Sequence, residues 1–137
     1  MLGQRDEAWR QRFNVGTLGD CGVWSAPLAG VADDPADTGR RAISHLAQHA
    51  DRWWLHVDLD VLDPVEFPAQ GLPGVEDEPG GLTWVELTAL AAAMLDAGGC
   101  VGCSIAIYDP DQDPDGTGAA QIVQFAREVF DRYRTSR

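Results

Sequence analysis

Residues 55–64 read LHVDLDVLDP, an apolar run broken by Asp58, Asp60 and Asp63. Side chains alternate along a β-strand, so Leu55, Val57, Leu59 and Val61 face one way. His56, Asp58, Asp60 and Leu62 face the other. Asp58 and Asp60 then project together, their Cα atoms ~7 Å apart. Two carboxylates so placed suit a hard or borderline cation such as Mg²⁺ or Mn²⁺, or a bridged pair of cations. In open α/β sheets ligands bind beyond the carboxyl ends of strands, and LDP ends this one. The competing reading is an edge strand whose charges discourage association.

Three other clusters carry chemically capable residues. His45 and His49 lie four apart on one helix face, but the glutamate of a metalloprotease HExxH motif is missing. The sequence CVGC (Cys100, Cys103) follows AGG and runs into an apolar segment, which reads as buried strand thiols rather than a redox pair at a helix start. In DPDQDPDG, Asp111, Asp113, Asp115 and Gly116 copy the opening of a calcium loop. Its twelfth position, which needs a bidentate glutamate, is Ile122. These acids fit a turn and a helix N-terminus, where the dipole favours negative charge.

The elements that must position these residues are legible by period. Apolar residues at helical spacing predict a helix over 38–51, and WWLHVDLDVL (53–62) reads as a strand. LTWVELTALAAAMLDAGG reads as a helix opened by a Thr83/Glu86 capping box and stopped by Gly98 and Gly99. CVGCSIAIYD is a second apolar strand. GAAQIVQFAREVFDRYR is a closing helix with Ile122, Phe125, Ala126, Val129 and Tyr133 on one side. Residues 1–36 are weakly patterned: CGVWSAPLAGV has room for one short strand, and ADDPAD reads as a loop. Alternating helices and strands predict an α/β domain with parallel strands, and two or three strands suggest part of a larger fold.

The chain has 137 residues, the size of one domain. Its net charge of −12 repels phosphate backbones and disfavours nucleic acid as a partner. The acids concentrate at 58–63, 76–78 and 109–115. No apolar run approaches the roughly 18 residues of a membrane span. The first residues lack the apolar stretch of a signal peptide, so the expected location is cytoplasmic. Three cysteines give no disulfide framework.

The segment HVDLDVLDP resembles the DxDxxDP signature of the arginase/agmatinase (ureohydrolase) family. The loop EFPAQGLPGVEDEPGGLT, the capped helix and VGCSIAIYDPDQDPDG also resemble that family over 53–123, most strongly at 56–64 and 79–83. GQRD near the start resembles it weakly. The resemblance implies a three-layer α/β/α fold with a parallel sheet, of which residues 1–137 form a single domain corresponding to the C-terminal half. It implies a metal-dependent hydrolase in which two Mn²⁺ ions activate a hydroxide that attacks a guanidino or amidino carbon. Asp58 and Asp60 match the metal-ligating pair of the family's third motif.

Two departures from the family pattern bear on function. The GGDH-type and DAHxD-type motifs that supply the remaining ligands have no counterpart in residues 1–52, so this chain alone is expected to be inactive. Ile107 stands where the family places the glutamate that pairs with a guanidinium, and Asp109, on the same face by parity, is a candidate replacement. The implied partners are a small guanidino or amidino substrate, and either further copies of the chain or a complementing N-terminal half. The alternatives are a non-catalytic half-domain and a cation-binding or oligomerisation module. Trp53 and Trp54 offer apolar surface for association.

Overall fold

The computed structural model describes residues 1–5, 7–13, 15, 16, 18–71 and 79–135. The acidic cluster at 76–78 and the side chain of Tyr133 lie outside what is described. In chain order the elements are β1 (Leu2–Gln4), α1 (Glu7–Arg12), β2 (Ala26–Pro27), α2 (Leu28–Asp33), α3 (Pro35–Leu46), β3 (Trp53–Asp58), α4 (Trp84–Asp96), β4 (Cys100–Ala106) and α5 (Thr117–Thr135). No described helix is long and apolar enough to cross a membrane.

The helix–strand–helix–strand–helix order expected from residue 38 onward is present. The N-terminal third holds more structure than its pattern suggested. β1 and β2 pair in parallel, and ADDPAD is no loop. Ala32 and Asp33 end α2, and Asp34 caps α3 by accepting the Asp37 N–H at 2.9 Å. Pro35 sits at the first helical position, where its missing N–H costs nothing. That cap moves the start of α3 ahead of the expected Thr38, and the helix ends at Leu46 rather than Asp51.

α4 forms as its sequence dictates. Thr83 accepts the Glu86 N–H, and the Glu86 carboxylate accepts the Thr83 N–H at 2.7 Å, completing the capping box. Gly98 closes the other end by donating its N–H to the Leu95 carbonyl at 2.9 Å. Leu87, Leu90, Ala91, Met94 and Leu95 are buried because α4 lies between α3 and α5 and faces the β3 side chains.

β3 and β4 pair in parallel, Trp54 opposite Gly102, His56 opposite Ser104 and Asp58 opposite Ala106. Trp53, Leu55 and Val57 are buried against the helices, while Trp54, His56 and Asp58 are exposed on the other face. Parallel sheets are usually covered on both faces. Among the described residues this one is covered on one, which gives a partial α/β/α arrangement.

Candidate metal centre

β3 ends at Asp58, so the strand is shorter than the sequence predicted and Asp60 is not on it. Residues Leu59–Val61 form a single 3₁₀ turn, closed by the Leu62 N–H to the Leu59 carbonyl at 3.1 Å. Burial of Leu59, which is 0% exposed, fixes the turn and leaves Asp58 and Asp60 both exposed. Exposure therefore alternates as strand parity predicted as far as Asp60, with Leu59 as the anchor that the aspartates flank; beyond it the parity fails, because Leu62, assigned to the aspartate face, is fully buried while Val61 is only partly so.

Asp63 does something else. Its carboxylate accepts the Val65 N–H at 2.8 Å, and its carbonyl accepts the N–H groups of Glu66 and Phe67 at 2.8 and 3.0 Å. It is a turn-former that folds the chain back after the two exposed carboxylates. Phe67, 0% exposed, plugs the core beneath this turn, packed edge-to-face on Trp84 with ring centroids 5.5 Å apart.

A second segment clamps the turn from the far side of the loop. Leu62 and Leu82 form a parallel bridge: the Leu82 N–H donates to Val61 O at 2.8 Å, and the Asp63 N–H to Leu82 O at 3.0 Å. Gly81 makes this approach feasible. A Cβ there would lie 2.2 Å from the Asp63 nitrogen. Gln70, buried and polar, donates to the carbonyls of Leu62 at 3.1 Å and Phe67 at 2.9 Å, and its own carbonyl accepts from Gln112. Sequence inspection did not single out Gln70. Its only signal is a polar residue inside the proline- and glycine-containing loop, and burial is what makes it a clamp.

The open sheet face beside Asp58 carries a polar cluster that was also not foreseen. The Trp54 indole N–H donates to Ser104 Oγ at 3.1 Å, and His56 Nδ1 lies 2.7 Å from the same oxygen. Gly102 provides the space, because a Cβ there would fall 2.1 Å from the Trp54 ring.

The residues after β4 depart from expectation. The strand stops at Ala106, so Ile107 is off it, 43% exposed and not buried. Its φ of 60° is left-handed, which is rare for a β-branched residue. Asp109 likewise does not share a strand face with it. Asp109 caps the next 3₁₀ turn, accepting the Asp111 N–H at 3.0 Å and the Gln112 side chain at 3.1 Å. A carboxylate so engaged is a poor replacement for a substrate-binding glutamate. Asp113 sits at the start of α5, where its carboxylate accepts backbone N–H groups of the first turn. The N–H groups of Gly118 (2.8 Å) and Ala119 (2.9 Å) hold its carboxyl below the ordinary value, and the Tyr108 hydroxyl, which donates to it, is pushed up.

His45 stacks on Trp24 with centroids 5.7 Å apart, and His49 meets His45 edge-on at 5.3 Å. Cys100 and Cys103 are reduced thiols on β4; Cys100 donates to the Gly102 carbonyl at 3.3 Å, and burial pushes the Cys103 thiol up. Asp58 and Asp60 suit a divalent cation in chemistry and placement. Among the described residues, however, no group of three or more His, Cys, Asp or Glu side chains is placed to hold one. The pair fits as part of a donor set and falls short of a whole one.

The fold is a partly covered parallel α/β unit with two exposed carboxylates at a strand's carboxyl end, the place where open α/β sheets bind ligands. The comparisons define the family. The Arginase family model matches residues 19–131, and the chain belongs to that family. The arginase of Helicobacter pylori superposes with a TM-score of 0.77 at 16% identity, covering 97% of this chain and 43% of that one. The arginase of Bacillus caldovelox gives 0.76 at 22% identity, with 94% and 41% covered. The agmatine ureohydrolase of Thermoplasma volcanium gives 0.72 at 23%, with 98% and 41% covered. The chain thus spans less than half the length of these structures. No curated protein sequence matches it.

Proposed function

We propose that this chain is the Asp58/Asp60-bearing part of a manganese-dependent ureohydrolase, acting on a C–N bond of a guanidino or amidino compound once the remaining ligands are supplied from outside residues 1–137. The observation that carries this reading is the exposure of Asp58 and Asp60 together at the carboxyl end of β3, in a chain of the arginase family. Manganese held there supplies Lewis acidity and a nucleophilic water near neutral pH. The chain's own residues do the positioning. Leu59 anchors the turn, Asp63 and Gln70 fix the returning loop, and the Leu62–Leu82 bridge pins the segment that follows the two aspartates. Ile107, exposed and apolar at the end of β4, offers no charge to a guanidinium, which favours a substrate recognised elsewhere in the site.

The test is urea release from arginine, agmatine and related amidines with added Mn²⁺, by the chain alone and with the complementing half of an arginase-family enzyme. We expect none from the chain alone. With the complementing half, release should fall upon Asp58→Asn by more than the about 100-fold that loss of an outer-shell partner costs. Urea release unaffected by Asp58→Asn and Asp60→Asn contradicts the proposal.

A further inference from the structure

The C-terminal turn of α3 carries two imidazoles outside the carboxylate site. α3 ends at Leu46, but the chain keeps turning. The Gln48 N–H donates to the His45 carbonyl at 3.2 Å, and the His49 N–H donates to the Leu46 carbonyl at 2.8 Å. His45 and His49 therefore stay neighbours at a spacing of four residues, as on a regular helix face. Their ring centroids are 5.3 Å apart, with the planes at 65°. His49 is exposed and His45 half-buried, so ions in solution reach the pair.

The ring spacing fits a shared metal ion. Zinc binds an imidazole nitrogen at about 2.0–2.1 Å, which puts the ring centre about 3.1 Å from the ion. Two rings bound at a tetrahedral angle then have centres about 5 Å apart. The observed 5.3 Å is close to that separation, so the rings need to turn about their own torsions rather than travel.

Three further features favour a cation here. Trp24 stacks on His45 with ring planes 22° apart, which orders one ring before binding and reduces the freedom lost on chelation. The turn lies at the negative end of the dipole of a 12-residue helix. The chain's net charge of −12 raises the local concentration of cations. Among the described residues no third His, Cys, Asp or Glu completes the set, so the site is an open one, weaker than a closed structural zinc site. Imidazole suits zinc, copper and nickel, whereas carboxylates suit manganese, so the pair differs in preference from Asp58 and Asp60. We propose that His45 and His49 form a two-imidazole site for a divalent ion of the zinc class, with solvent filling the other coordination positions. The site does not depend on the ureohydrolase reading.

The test is a Zn²⁺ titration of the full chain carrying Asp58→Asn and Asp60→Asn, which removes the carboxylate pair. Nuclear magnetic resonance of the imidazole nitrogens of its three histidines reports where the ion goes. His45 and His49 should shift along one saturable curve with one Zn²⁺ per chain, and His56 should stay in place. His45→Gln and His49→Gln should each weaken the binding reported by the remaining ring by about 100-fold, the least that linking two ligands in one chain provides. Both positions reach the surface, where a substitution costs little stability; His49→Gln, at the more exposed of the two, serves if loss of the Trp24 stack disturbs His45→Gln. Zn²⁺ uptake that leaves both rings unmoved, separate curves for His45 and His49, or a shift of all three histidines together overturns the proposal. So does an affinity at either ring that removal of the other leaves unchanged.

Discussion

Replacing Gly81 with alanine should be among the most damaging single-methyl changes in this protein. Gly81 has a φ of 152°, and an added Cβ would lie 2.2 Å from the Asp63 nitrogen, 2.3 Å from the Leu62 carbonyl carbon and 2.6 Å from the Asp63 Cα. All three are backbone atoms, so no side chain can swing aside. Restoring van der Waals contact requires the two segments to part by more than an ångström. That separation breaks the paired bonds at 2.8 and 3.0 Å between Leu82 and the Val61–Asp63 turn. The glycine-only backbone region costs an L-residue about 1–3 kcal/mol. Two lost backbone hydrogen bonds add about 0.5–1.5 kcal/mol each. A loss of about 2–6 kcal/mol follows. Gly80→Ala is the matched control: its φ is also positive, at 85°, but nothing lies within 4 Å of its added Cβ. It should cost only the left-handed penalty of about 1–2 kcal/mol. Urea unfolding of both variants, with midpoint and slope fitted together, measures the difference. Equal losses would refute the close-approach reasoning and leave backbone conformation as the whole effect.

Two further outcomes are expected. The lowered pKa of Asp113 means that the unfolded chain binds its proton first as pH falls. Its contribution is therefore full above the ordinary carboxylate range and lost as pH drops through the lower folded value. Unfolding titrations across that acid window should show a smaller pH dependence in Asp113→Asn, and ultraviolet titration should show the Tyr108 hydroxyl returning toward its ordinary range. Ile107→Gly should raise stability by about 0.5–1 kcal/mol, because relief of the left-handed strain exceeds the added freedom of the unfolded chain. A drop in the urea midpoint would show that the half-exposed side chain packs usefully.

The elements from residue 38 onward were legible because their signals are local. The Thr83/Glu86 box, the apolar period of α4 and α5 and the alternation of β3 all lie within a few residues of chain. β1 and β2 were not legible, since strands of three and two residues carry too little period and form only by pairing with each other over a long stretch of chain (Leu2 with Ala26 and Gln4 with Pro27). Within the candidate site, Asp58 and Asp60 were found by alternation, although Leu59 in a 3₁₀ turn and not a longer strand produces it. Ile107 and Asp109 were misplaced because strand parity was carried beyond Ala106, where the chain takes a positive φ and turns. Gln70 was missed because its importance comes from carbonyls at 62 and 67 that face it only in the folded loop.

Manganese binding to the chain is the most direct measurement. Free Mn²⁺ is followed by its electron spin resonance signal as it is titrated into wild type, Asp58→Asn, Asp60→Asn and the double variant. A partial donor set should give weak binding in the wild type, a reduced signal loss in each single variant and none in the double variant. Equal uptake by wild type and double variant would contradict the assignment of Asp58 and Asp60 as the metal-binding pair.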